Sequence, residues 1–168
     1  MVPPGGVRGG RPRMGGDRRP RPQSQSQPQS PGLAANGKKR VLFVCVGNSC
    51  RSQMAEGFAR AYGSDVMEAA SAGVSPATVI APLTHQVLGE KNIRIDEHFP
   101  KGFGMVAHEQ FDIVVNMSGA PLAVQGAQIV DWPVVDPIGQ KMDVYRSVAS
   151  QIEALVMGLI LQLRTAPK

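Results

Sequence analysis

Only two cysteines occur among the 168 residues, and both fall within one run of six, Cys45 and Cys50. So few, so close, exclude a multi-disulfide scaffold and point to a reducing, cytoplasmic setting. His85, His98 and His108 show no paired ligand spacing with them, so no metal site and no bound cofactor is expected. Aromatic residues are scarce, with five Phe, two Tyr and one Trp. No Gly-Lys-Ser/Thr ending occurs, which removes a Walker-type nucleotide loop. No apolar core follows the arginines near the N-terminus, so a secretory signal is not expected. Arg146 and Glu153 interrupt the apolar stretch near the C-terminus, which argues against a membrane span.

Negative charge is almost missing from the first forty residues. They hold nine Lys/Arg and one Asp, net +8, whereas residues 41–168 hold nine Lys/Arg and twelve Asp/Glu, net −3. Seven of the fourteen prolines, eight of the nineteen glycines and a Gln/Ser alternation at 23–30 also lie in that first segment. It has too little apolar surface to offset chain entropy, so residues 1–39 read as a disordered Arg/Pro/Gly/Gln-rich tail. Arg8, Arg11, Arg13, Arg18, Arg19 and Arg21 offer charge to nucleic acid or an anionic surface. The preferred reading is a solvated extension, or leader sequence ahead of a start at Met14 or later.

Residues 40–168 have the size of one domain with one core. Apolar runs at 41–44, 66–70, 113–115 and 129–135, the last interrupted by Asp131, alternate with helical stretches. That alternation predicts an α/β fold: a four-stranded parallel sheet with helices on both faces and right-handed crossovers. The spacing predicts a first helix over 53–62, ended by Gly63, and a last one over about 143–163. In the latter Val144, Val148, Ile152, Leu155, Val156, Leu159, Ile160 and Leu163 recur every three or four residues.

Between the first strand and first helix stands Cys45-Val46-Gly47-Asn48-Ser49-Cys50-Arg51-Ser52. Five residues between cysteine and arginine let the loop curl so that its N–H groups converge, and the following helix adds its positive end to the same hollow. Such a site binds a tetrahedral oxyanion beside a cysteine whose thiolate is the nucleophilic form. Arg51 offers two parallel donors to two oxygens. Ser52 can donate to the sulfur, Gly47 permits a backbone angle that a side chain would forbid, and Asn48 can brace the loop by side-chain hydrogen bonds. Further on, Asp136 lies between the apolar Val134-Val135 and Pro137, at a loop near the carboxyl edge of the sheet, where open α/β folds place their sites.

The chain resembles the low-molecular-weight phosphotyrosine phosphatase superfamily, which includes thioredoxin-type arsenate reductases. The resemblance rests on Val-Cys-Val-Gly-Asn-Ser-Cys-Arg-Ser-Gln-Met-Ala-Glu at 44–56, Ser-Ala-Gly at 71–73, Phe-Asp-Ile-Val-Val-Asn-Met at 111–117 and Asp136-Pro137, and covers about residues 40–164. It implies a flavodoxin-like domain in which Cys45 is the nucleophile, Arg51 the oxyanion clamp, Ser52 the thiolate partner and Asp136 the general acid. Val46, Gly47, Asn48, Ser49, Cys50 and Ser52 then form the substrate-binding loop. Gln53-Met54-Ala55-Glu56 is similar to the arsenate reductase branch, whereas phosphatases more often carry proline after the Arg-Ser.

Absent aromatic walls agree with that branch. Residues 71–82 contain no aromatic, and Asp136-Pro137 is followed by Ile138-Gly139, which favours a small inorganic oxyanion over an aryl ester. The resemblance places a resolving cysteine after the third strand, where this chain has Ser118. An internal three-cysteine relay is therefore excluded, and reduction requires an external low-molecular-weight thiol or a glutaredoxin- or thioredoxin-like partner. Cys50 is the remaining redox candidate, with a packing role as the alternative. The expectation is arsenate reduction through a Cys45 adduct; hydrolysis of phosphotyrosine or small aryl phosphates is the second reading, and a non-catalytic phosphate-binding module the third.

Overall fold

Residues 37–166 are described by the computed structural model. The basic tail, and the nucleic-acid contact considered for it, lie outside the described residues up to position 36.

The chain forms β1 (Lys39–Cys45), α1 (Arg51–Tyr62), β2 (Met67–Gly73), α2 (Pro82–Gly89), β3 (Ile113–Asn116), β4 (Gln128–Asp131) and α3 (Met142–Thr165). The four strands are all parallel and lie in the order β2-β1-β3-β4. Successive side chains of a strand leave on opposite faces, and both faces here are apolar. Val41, Phe43 and Cys45 of β1 join Met67, Val115 and the inner faces of α1, α2 and α3 in the larger core. Leu42 and Val44 join Ala72, Val114, Val106 and Phe111 in the smaller one.

The four-stranded parallel sheet is as expected, but the cover of its second face is not made of long helices. There a one-turn 3-10 helix, Phe103–Met105, and the apolar residues Leu122, Val124 and Ala127 of irregular segments pack against the smaller core. Glycine and proline punctuate these connections at Pro100, Gly102, Gly104, Gly119 and Pro121, which shortens any helix there. The fourth strand also ends earlier than its apolar run, at Asp131. Pro133 has no N–H to continue the ladder, and Trp132 turns inward against Phe43 with ring centroids 6.0 Å apart.

α1 begins at Arg51, two residues before the expected start, because the Cys50 carbonyl already accepts from Met54 N–H at 2.9 Å. It ends where Gly63 N–H closes on Ala59 O at 2.8 Å. α3 lays Tyr145, Val148, Ala149, Ile152, Val156, Leu159 and Ile160 into the larger core. Strand order reverses beside β1, with β2 on one side and β3 on the other, which opens a crevice at the carboxyl end of β1.

Ile152 on α3 is fully buried, whereas Leu161 is 55% exposed. Ile152→Ala is expected to cost about 2–5 kcal/mol in urea unfolding, and Leu161→Ala to stay within about 0.5 kcal/mol of wild type.

Candidate active site

Residues 46–50 leave β1 and enter α1 as a loop whose carbonyls face outward. The carbonyls of Cys45, Val46, Gly47 and Ser49 accept from the N–H groups of Val74, Ser75, Ala77 and Ala81 at 2.9–3.3 Å. Asn48 O accepts from Gln53 Nε2 at 3.2 Å, and Thr84 Oγ1 donates to Ser49 O at 2.9 Å. Among the described residues, no protein group accepts from the N–H groups of Gly47 to Cys50. α1 has no side-chain cap, so its first-turn amides and positive dipole end face the same hollow.

Inversion of the loop depends on Asn48, whose φ is +52°. The left-handed residue is thus not Gly47, as expected, but its neighbour, and asparagine tolerates that region because its short amide bonds locally. Asn48 Nδ2 donates to Ser52 Oγ at 2.7 Å, and its Oδ1 accepts from Gln53 Nε2 and Lys101 N–H, both at 3.0 Å. Ser52 Oγ in turn lies 2.9 Å from Cys45 Sγ. The glycine that the loop cannot lose is Gly73 at the end of β2. A Cβ there would sit 2.6 Å from Val46 O and 2.8 Å from Asn48 N, both backbone atoms.

Arg51 is buried, and its Nη1 donates to the carbonyls of Met117 and Val134. Its Nη2 stands 3.4 Å from Asp136 Oδ2. The ends of β3 and of the segment after β4 therefore aim the guanidinium, and it holds Asp136 at the mouth. Asp136 Oδ1 accepts from Ile138 N–H at 3.1 Å, which braces the carboxylate. Cys45, Val46, Gly47, Ser49, Cys50, Arg51, Ala77, Asp136 and Ile138 enclose a cavity of about 200 Å³. Its lining holds no aromatic side chain, and Cys45, Cys50, Arg51 and Asp136 stand together around it.

Cys50 shares this cavity wall but is itself 3% exposed, with Tyr145 Oη 3.5 Å from its sulfur. Burial pushes its thiol upward from the ordinary range, against the hydrogen bonds of Tyr145 and Thr84. Burial, and then the bond to Cys50, likewise hold the Tyr145 phenol well above its usual value. A thiol so placed is a poor nucleophile at neutral pH. Ser118, in the position where the resemblance places a cysteine, bonds Asn116 Oδ1 through its hydroxyl at 2.6 Å.

Sequence reasoning missed the support behind Asn48. Gln53 and Glu56, one α1 turn apart, are buried, and His98 Nδ1 lies 3.0 Å from Gln53 Oε1 and 2.8 Å from Glu56 Oε2. Burial works against the Glu56 carboxylate, but the His98 bond and the charges of His98, Lys101 and Arg60 outweigh it and hold Glu56 below the usual range. Gln53 thereby connects the Glu56–His98 pair to Asn48, Ser52 and Cys45. Only the burial of two polar residues on an otherwise apolar helix face hinted at this, and their partners lie more than forty positions away.

Residues 40–168 match the model of the family described as low molecular weight phosphotyrosine protein phosphatase. A glutaredoxin arsenate reductase of Synechocystis sp. is 33% identical over 130 residues, covering 74% of this chain and 98% of that one. A solved arsenate reductase in the phosphate binding state superposes with a TM-score of 0.68 at 31% identity, over 74% of this chain and 98% of that one. A solved low molecular weight protein tyrosine phosphatase from T. tengcongensis gives 0.63 at 31% identity, over 75% and 100%.

Gly73→Ala is expected to lower stability by about 1–3 kcal/mol, read as a drop in urea midpoint, because backbone atoms cannot yield to the added methyl. His98→Ala removes the 2.8 Å bond to the buried Glu56 carboxylate and should cost about 1–3 kcal/mol in urea unfolding at pH 7. A carboxylate held low in the native state stabilises above its unfolded pKa, and that gain is lost as pH falls through its native value. Wild type should accordingly lose stability on acidification more steeply than Glu56→Gln, measured by urea titration between pH 7 and 3.

Proposed function

Because the chain belongs to the low molecular weight phosphotyrosine protein phosphatase family, in its arsenate reductase branch, and is a cysteine-based enzyme, we propose that residues 40–168 form one catalytic domain that reduces arsenate through a Cys45 adduct resolved by an external thiol. The observation that carries this reading is the cavity of about 200 Å³ with aliphatic and polar walls. Such a hollow holds a tetrahedral oxyanion and offers no aromatic surface to grip a phenyl ring.

In this reading the inward N–H groups of the loop and α1 bind arsenate oxygens, and Arg51 stabilises charge on two of them. Ser52, 2.9 Å from the sulfur, donates to the Cys45 thiolate and keeps it aimed at arsenic. The thiolate forms a sulfur–arsenic bond as an arsenic–oxygen bond breaks, and Asp136 protonates the departing oxygen, which leaves as water. An external thiolate then attacks Cys45 Sγ. A disulfide bond forms, the sulfur–arsenic bond breaks, and its electron pair stays on arsenic, so As(V) departs as arsenite. A second thiol reduces the mixed disulfide and restores Cys45.

Phosphoryl transfer shares the first step, and water attacking a phosphocysteine would complete a phosphatase. Asp136 at the mouth, 3.4 Å from Arg51, is equally placed to protonate an ester oxygen, which keeps this as the second reading.

The test is a paired assay of the full chain, following arsenate-dependent oxidation of a supplied glutathione, glutaredoxin or thioredoxin system and hydrolysis of an aryl phosphate without reductant. Arsenate turnover with negligible hydrolysis is expected; efficient hydrolysis without thiol-coupled turnover would replace this reading with the phosphatase. Cys45→Ser should abolish turnover, and Asp136→Asn should retain phosphate binding while slowing turnover by about 10²-fold or more. Undiminished activity in Cys45→Ser would remove both.

A further inference from the structure

Arg51 borders two cavities that share no other lining residue. One is the hollow of about 200 Å³ that holds Cys45 and Asp136. The other, of about 450 Å³, has Arg51, Asn116, Met117, Asp131, Trp132 and Val134 among its walls. A side chain with open space on two sides takes its direction from the groups it bonds rather than from packing. Here these are the carbonyls of Met117 and Val134, both on Nη1, and the Asp136 carboxylate, 3.4 Å from Nη2. Asp136 is 40% exposed, which leaves the two carbonyls as the buried part of the grip.

The Met117 carbonyl is set from the other end of its own peptide unit. That unit joins Met117 to Ser118, and its N–H donates to Asn116 Oδ1 at 3.0 Å. A trans peptide is planar, with its C=O and N–H pointing in opposite directions, so turning the Ser118 N–H toward Asn116 turns the Met117 carbonyl toward Arg51. The preceding unit is already tied, because Met117 N–H donates to Val44 O at 2.7 Å. The chain beyond offers little resistance to rotation, since Gly119 has φ +79° and a Cβ there would meet nothing within 4 Å.

Asn116 is itself locked. It ends β3 at 4% exposure, opposite Asp131 of β4. Its Nδ2 donates to Ala120 O at 2.7 Å and to Asp131 Oδ1 at 3.0 Å, and its Oδ1 also accepts from Ser118 Oγ at 2.6 Å. Both donors and both acceptor sites of the amide are thus committed. The bond to Asp131 also engages the one carboxylate in the lining of the second cavity, the group there with the charge to draw the guanidinium away from the oxyanion hollow.

We propose that Asn116 is a positioning residue: by holding the Met117–Ser118 peptide it aims the Arg51 guanidinium into the hollow beside Cys45, and so sets the affinity of that hollow for a tetrahedral oxyanion. The inference rests on Arg51 as the oxyanion clamp, which the arsenate and phosphatase readings share. Asn116 touches no reacting atom, and its effect passes through one peptide plane to one arginine.

The experiment titrates the full chain with inorganic phosphate by calorimetry, with circular dichroism and Trp132 emission as checks of the fold. Asn116→Ala removes the acceptor for Ser118 N–H and should weaken phosphate binding by about tenfold or more, the worth of one charge-assisted contact. Ser118→Ala removes the hydroxyl, leaves that N–H in place, and should stay within about twofold of wild type. Asn116→Asp keeps the acceptor but sets a second carboxylate against Asp131, and should also lose about tenfold. Asn116→Asp/Asp131→Asn keeps the acceptor and remakes the bond between the strands with donor and acceptor exchanged, so its affinity should return to within about threefold of wild type. General loosening of the fold would not be repaired by that exchange. Wild-type affinity in a folded Asn116→Ala, or equal losses in Ser118→Ala and Asn116→Ala, would overturn the proposal. If Asn116→Ala does not fold, the aspartate pair decides, and equal affinity in Asn116→Asp and the double variant would overturn it. A wild type that binds no phosphate would instead remove Arg51 as the clamp, and the oxyanion reading of the site with it.

Discussion

A loop whose amides face inward must satisfy its carbonyls on the outside. Here that requirement is met by the backbone of residues 74–81, which runs along the loop and accepts none of its N–H groups while donating to four of its carbonyls. Each buried carbonyl left without such a partner would cost about 1–3 kcal/mol, so the loop and the stretch after β2 stand or fall together. Asn48 supplies the turn of the chain at φ +52°, and Gly73 supplies the close approach that lets β2 end against the loop backbone. The orientation of Cys45 follows, because Ser52, which sits on Cys45 Sγ, is held by the same Asn48 amide.

Behind Asn48 the bracing continues through Gln53 to the buried Glu56–His98 pair. A buried carboxylate is costly to desolvate, so the use of this pair is positional rigidity more than net stability. On the other side, Arg51 is gripped by two backbone carbonyls from the ends of β3 and the stretch after β4. Three strand ends and one helix start thus converge on a hollow of about 200 Å³, the crevice expected where a parallel sheet reverses its strand order.

Economy of thiols shapes what the site can accomplish alone. Cys45 is bonded to a hydroxyl and opens to the cavity, while Cys50, five residues on, is bonded to a phenol and pushed toward the thiol form. One sulfur therefore faces a hydroxyl of α1 and the other packs against α3. Ser118 stands where the family resemblance places a further cysteine, and its hydroxyl bonds Asn116 instead.

The strands, the amphipathic last helix and the Cys45-to-Arg51 loop were legible in the chain because each depends on local pattern: alternating burial, three-to-four spacing, and a cysteine and an arginine with five residues between them. The sequence also placed Asp136 near the sheet edge through its Val-Val-Asp-Pro context. It did not reveal that the second sheet face is covered by irregular segments, since residues such as Phe103, Val106 and Leu122 are apolar in any covering structure. It pointed to Gly47 for the backbone turn that Asn48 makes, because glycine and asparagine both reach the left-handed region and only the path of residues 74–81 selects between them. Gln53, Glu56 and His98 could not be joined from spacing alone, being up to 45 positions apart. Local periodicity and chemistry determined the elements and the Cys45-to-Arg51 loop; contacts between distant segments decided the loop's inversion, the aim of Arg51 and the packing of Tyr145 against Cys50.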